Sequence, residues 1–72
     1  MSNQRARQLL GVHKLVAGDE EGALQEFLEM LRLDKTFDEG LPRRLLVDAF
    51  AVISDEDLVG RYRRRMSSLL LV

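Results

Sequence analysis

The sequence contains no cysteine and no tryptophan, and only one proline, one histidine and one tyrosine. Without cysteine there can be no disulfide, no thiol nucleophile and no cysteine-built zinc site. A single histidine likewise excludes a metal site assembled from histidines. The lack of cysteine is consistent with a reducing compartment, and a cytoplasmic protein is expected. No long apolar run is present: the closing Leu69-Leu70-Leu71-Val72 is far too short for a membrane span. The stretch from Met1 to Gln8 is polar and no apolar core follows it, so no signal peptide is expected. A charge excess is also missing. Eleven basic residues face twelve acidic ones, a net charge of −1, and no overall field draws the chain to nucleic acid or anionic lipid.

What is there is a helix-forming composition, 46% hydrophobic and 32% charged, in 72 residues. A chain of this length supports one small domain. Ordering costs about 1.5 kcal/mol per residue, roughly 100 kcal/mol in total, which nearly cancels the hydrophobic gain. Chains this short often depend on a partner surface. Strict apolar–polar alternation is nowhere sustained, so no strand is predicted.

Four helices are predicted. The first spans about Gln4 to Ala17, with Leu9, Leu10, His13 and Val16 on one stripe. Gly18 ends it, and Asp19 is a suitable N-cap for the second helix, with Glu20 and Glu21 in the first turn. That second helix runs to about Leu33 and gathers Ala23, Leu24, Phe27, Leu28 and Leu31 on one wide face. The third starts near Pro42, a residue suited to a first turn, and would bury Leu45, Leu46, Ala49, Phe50 and Ile53. The stretch Ser54-Asp55-Glu56-Asp57 then supplies a cap and first-turn acids for the fourth helix. On that helix Leu58, Val59, Tyr62, Met66, Leu69 and Leu70 fall within an arc of about 120°. The expected fold class is all-α: four helices as two stacked antiparallel hairpins. Residues 6–37 would form the first hairpin and 38–72 a degenerate second one in the same domain, with 1–5 a linker or an expression remnant.

The segment from Leu9 to Phe37 resembles a tetratricopeptide repeat, a helix–turn–helix with a period of about 34 residues. Gly11 and Ala23 fall at the small positions of the repeat, where two helix axes approach closely. Leu10, Leu24 and Phe27 match the large apolar positions around that contact, and Ala17-Gly18-Asp19 matches the turn. The departures are Arg7 and Lys14 at the usual aromatic positions, Lys35 at the usual proline and Met30 at a normally small site.

The closing stretch, RRLLVDAFAVISDEDLVGRYRRRMSSLLLV, resembles the C-terminal end of the chaperedoxins, bacterial thioredoxin-like proteins fused to tetratricopeptide repeats. The matching positions are Leu45, Leu46, Phe50, Asp55, Asp57, Leu58, Val59, Tyr62, Arg63, Arg64, Arg65, Met66, Ser68, Leu69 and Leu70. The resemblance implies a protein–protein interaction module of a holdase co-chaperone, which binds unfolded clients and passes them to a chaperone. It also implies that a thioredoxin-like domain lies outside this chain, and that any redox chemistry belongs there.

No nucleophile, base and oxyanion donor can be assembled, so no enzymatic activity and no cofactor or metal is expected. Asp19, Glu20 and Glu21 lack the spacing of a calcium loop and read as helix capping. His13 reads as a half-buried structural histidine. Candidate protein-binding residues are Arg7, His13 and Lys14, expected to face a groove beside the first helix, together with Leu71 and Val72, which fall off the buried stripe of the last helix. Bare apolar surface at these places would favour a homodimer. The alternative reading is a small stand-alone nucleic-acid-binding protein, using Arg61, Arg63, Arg64 and Arg65 on phosphates. The balanced net charge argues for the blander view, in which these arginines are a solvated helix face with local partners such as an Asp57–Arg61 pair.

Overall fold

The computed structural model describes residues 3–71. They form α1 (Gln4–Val16), α2 (Glu20–Leu33), α3 (Phe37–Val52) and α4 (Glu56–Leu70), with no strand among the described residues. Three of the four helices begin on an Asn or Asp whose side chain satisfies an otherwise orphan backbone donor. Asn3 accepts from the Ala6 amide at 3.4 Å, Asp19 from Gly22 at 3.0 Å, and Asp55 from Leu58 at 3.1 Å. The turn from α1 to α2 passes through Gly18 at φ +92°, a left-handed conformation that glycine adopts without steric cost.

The start of α3 is different. Thr36 makes no capping bond, and Asp38, Glu39 and Gly40 are all left-handed, with φ of +48°, +57° and +83°. Regular helix therefore begins only after Gly40, and buried Pro42 lies in its first turn, as its missing amide allows. Arg44 braces the left-handed turn by donating to the carbonyls of Asp38, at 3.1 Å, and Glu39. Arg5 of α1 pairs with the Asp38 carboxylate at 2.8 Å and lies over the Phe37 ring.

Helix α2 is the centre of the molecule. It packs most extensively on α1 and also against α3 and α4, which meet α2 more than each other. Its Ala23, Leu24, Phe27, Met30 and Leu31 are buried, and they join Leu46, Ala49 and Phe50 of α3, Ile53 beyond it, and Leu58, Val59, Tyr62 and Met66 of α4. This is the all-α arrangement expected from the apolar periods. Leu45, Leu69 and Leu70 are half-buried against that core.

Helix α1 departs from its expected orientation. Its buried positions are Gly11 and Gln4, whereas Leu9, Leu10, His13 and Val16 all face solvent. The reason is the Gly11–Phe27 contact. A Cβ at position 11 would lie 2.9 Å from Phe27 Cδ1 and 3.0 Å from Cζ, so only glycine admits the ring. Turning Gly11 inward puts Leu9 and His13 about 160° away around the helix, and Val16 about 140° away. The half-buried histidine expected from sequence is thus an exposed one, and Leu10 flanks the helix crossing without being covered by it. Gln4 fills the other end of the contact, donating from Nε2 at 2.9 Å to the Met30 carbonyl, which also accepts from the Asp34 amide at 3.0 Å.

Candidate protein-interaction surfaces

Arg7 and Lys14 sit two turns apart on the edge of α1 that meets α2, and both reach Glu26. Arg7 Nη1 lies 3.4 Å from Glu26 Oε1, and Lys14 Nζ lies 2.9 Å from Oε2. The Glu26 side chain is only 15% exposed. Two cations closing on one carboxylate therefore stand where the repeat usually carries aromatics. The sequence signal for Glu26 is its charge alone, complementary to two cations at positions where the repeat usually carries aromatics.

The outer face of α1 is an apolar surface with no covering element. Leu9 is 61% exposed and Val16 83%, with Val12 between them at 41%. His13 lies on the same side of the helix. At the far end of the chain Leu71 is exposed, as expected; Val72 lies outside the described residues.

The four arginines of α4 are exposed, and each has a distinct environment. Arg61 approaches Glu21 of α2 at 3.7 Å, a cross-helix pair in place of the expected one with Asp57. Arg63 lies over the Phe50 ring at 5.3 Å and Arg65 over the Tyr62 ring at 4.8 Å. Such stacking covers the flat faces of the rings with weakly hydrated guanidinium and leaves the N–H fork accessible. Arg64 lies beside Gly60 on the outer face.

Tyr62 itself is fully buried, and its hydroxyl donates to Glu21 Oε2 at 3.0 Å. Burial raises the phenol above its ordinary pKa of 10, and the hydrogen bond to Glu21 adds to the shift. Beside it, α2 and α4 enclose an apolar groove of about 380 Å³, floored by Leu28 and Leu69, with the buried Tyr62 ring lying beneath Arg65. Arg32 and Arg65 stand on its rim with Gln25, Glu29 and Ser68. Glu29 receives both arms of the Arg32 guanidinium, the longer at 2.8 Å, and this bond holds the carboxyl below its usual range. Among the described residues no group of three side chains is placed to hold a metal ion, and no helix is long and apolar enough to cross a membrane.

Paired helices with a glycine-mediated crossing, capped by short turns and showing uncovered apolar surface, define a helical-repeat protein. Comparison with family models is specific on this point: the tetratricopeptide repeat model matches residues 1–71, and the chain belongs to that family. No curated protein and no solved structure matches the chain significantly. Tetratricopeptide repeats typically serve as non-catalytic modules that bind other proteins.

Proposed function

We propose that this chain is the terminal tetratricopeptide unit of a bacterial, cytoplasmic, thioredoxin-fused co-chaperone, and that it holds unfolded clients. The observation that carries this reading is the uncovered stripe of Leu9, Val12 and Val16 on α1. A chain with so small a core gains nothing in folding from apolar side chains left in water, so such a patch reads as a contact surface. Unfolded segments offer complementary apolar residues. The chaperedoxin-like closing motif, from Leu45 to Leu70, supports the co-chaperone context; it runs through α3 and α4, and its Leu46, Phe50, Leu58, Val59, Tyr62 and Met66 are part of the core. In isolation the same stripe pairs two copies of the chain.

The test is light scattering from reduced insulin as its chains aggregate, with and without this protein. Suppression by the parent chain, and its loss in Leu9→Ser/Val16→Ser with the helical spectrum unchanged, is the expected result. Equal suppression by the double variant would refute the stripe as the client surface. Sedimentation of the same variant reads out self-association.

A second reading follows from Arg63, Arg64 and Arg65, none of which has a carboxylate within ion-pair distance among the described residues. These three could contact phosphates, with binding that falls steeply as salt rises. Titration of a labelled single-stranded oligonucleotide against the parent chain and Arg64→Ala separates this reading from the first.

A further inference from the structure

We infer that the α2–α4 groove is a second docking site, and that its occupant is an acidic amphipathic helix of a partner protein. The inference deepens the protein-interaction reading and rests on it. The groove lies on a different face from the α1 stripe, and three observations fix the chemistry of what fills it.

First, the floor is apolar and permanent. Leu28 and Leu69 are half-buried and packed against the core, and the Tyr62 ring between them is fully buried. Side chains held this way do not collapse to close the groove.

Second, the shape suits a helix. The α2 wall runs from Gln25 to Arg32 and the α4 wall from Tyr62 to Leu69. Each covers about two helical turns, and grooves between packed helices accept the ridge of a third. Apolar side chains at i, i+3, i+4 and i+7 of the incoming helix would meet Leu28 and Leu69 in register.

Third, the charge on the rim is unbalanced. Glu29 is already engaged by both arms of Arg32. Arg65 has no hydrogen-bond acceptor among the described residues, and its guanidinium is held in place by stacking on the groove's own tyrosine. A cation fixed beside an apolar floor selects a carboxylate one turn from the inserted apolar residues, because a charged, forked hydrogen bond forms there with little ordering cost. A basic helix would meet the uncompensated Arg65 as a like charge, whereas Arg32 is already neutralised by Glu29.

The probe is a synthetic acetylated and amidated peptide with leucine at i, i+3, i+4 and i+7 and glutamate at the other positions, compared with its lysine counterpart. Amide chemical shifts of the labelled chain are followed during titration. The glutamate peptide is expected to shift Leu28, Glu29, Arg65 and Leu69, and to bind about tenfold more tightly than the lysine peptide. Arg65→Gln should remove most of that preference. Because Arg65 also packs on Tyr62, a second variant fills the groove from an exposed position: Ser68→Trp should abolish the shifts while the remaining spectrum stays native. Shifts centred on Leu9 and Val16, equal binding of both peptides, absence of groove shifts at millimolar peptide, or a preference for anionic phospholipid vesicles would each overturn the proposal. Insulin aggregation measured with Ser68→Trp keeps the two readings apart: unchanged suppression leaves the α1 reading standing whatever the groove does.

Discussion

The edge of the Phe27 ring occupies the space in which any residue but glycine at position 11 would carry its Cβ. Phe27 is only 1% exposed and cannot swing aside. In an exposed helix Gly→Ala would stabilise by about 1 kcal/mol. Here Gly11→Ala is expected to destabilise by about 1–3 kcal/mol, through overpacking at the α1–α2 crossing. Thermal unfolding followed by circular dichroism measures this directly, and a raised midpoint would contradict the close approach.

Tyr62 makes stability sensitive to alkaline pH. Its neutral hydroxyl donates to Glu21, whereas a phenolate would be buried beside that carboxylate. A raised folded-state pKa means that the contribution is complete below the ordinary value of 10 and is lost as pH climbs through the raised one. Near neutrality Tyr62→Phe should cost about 1 kcal/mol, the usual value of one hydrogen bond. That gap between parent and variant should narrow above pH 10, as urea melts at a series of pH values would show.

Glu26 couples Arg7 to Lys14. Glu26→Gln should destabilise by about 1 kcal/mol, a modest cost because both cations keep partial access to water. Restoring a consensus-like aromatic with Lys14→Tyr should bring no gain while Glu26 remains, since the carboxylate then loses its closer cation. Combined with Glu26→Ala the same change should be better than the sum of the singles by at least about 0.5 kcal/mol. A double-mutant cycle by chemical denaturation reads the coupling.

The left-handed turn before α3 gives opposite expectations at neighbouring positions. Gly40→Ala should cost about 1–2 kcal/mol although the space around it is open, because the penalty is conformational. Glu39→Gly should stabilise by about 0.5 kcal/mol, the relieved strain exceeding the entropy returned to the unfolded chain. Equal midpoints for the two variants would contradict the left-handed assignment.

The helices were legible because their signals are local. Asp19, Pro42 and the acids at 55–57 mark starts, and the buried stripes of α2 and α4 follow a single period. The roll of α1 was not legible from hydrophobicity. Its apolar residues suggested one inward face, while the glycine that fixes the crossing lies nearly opposite to them. The resemblance to a tetratricopeptide repeat, which places Gly11 at a close helix crossing, carries the observed orientation. The α2–α4 groove escaped for another reason. It is assembled from residues nearly forty positions apart, and no spacing within either helix indicates which pairs of rows will face each other.

The central place of α2 has a consequence for modularity. Repeat arrays are commonly pictured as beads that fold one by one, each touching only its neighbours. In this chain one helix is shared by every other, so neither hairpin owns a complete core. Cleavage in the turn at residues 38–40 should leave α3 and α4 without the surface that orders them. In the intact chain, deep amide protons in α1 and α4 should exchange with hydrogen isotope at a common rate, although those helices sit at opposite ends of the sequence. The smallest heritable piece of this architecture is therefore the four-helix set, and recombination between its hairpins would separate what α2 joins.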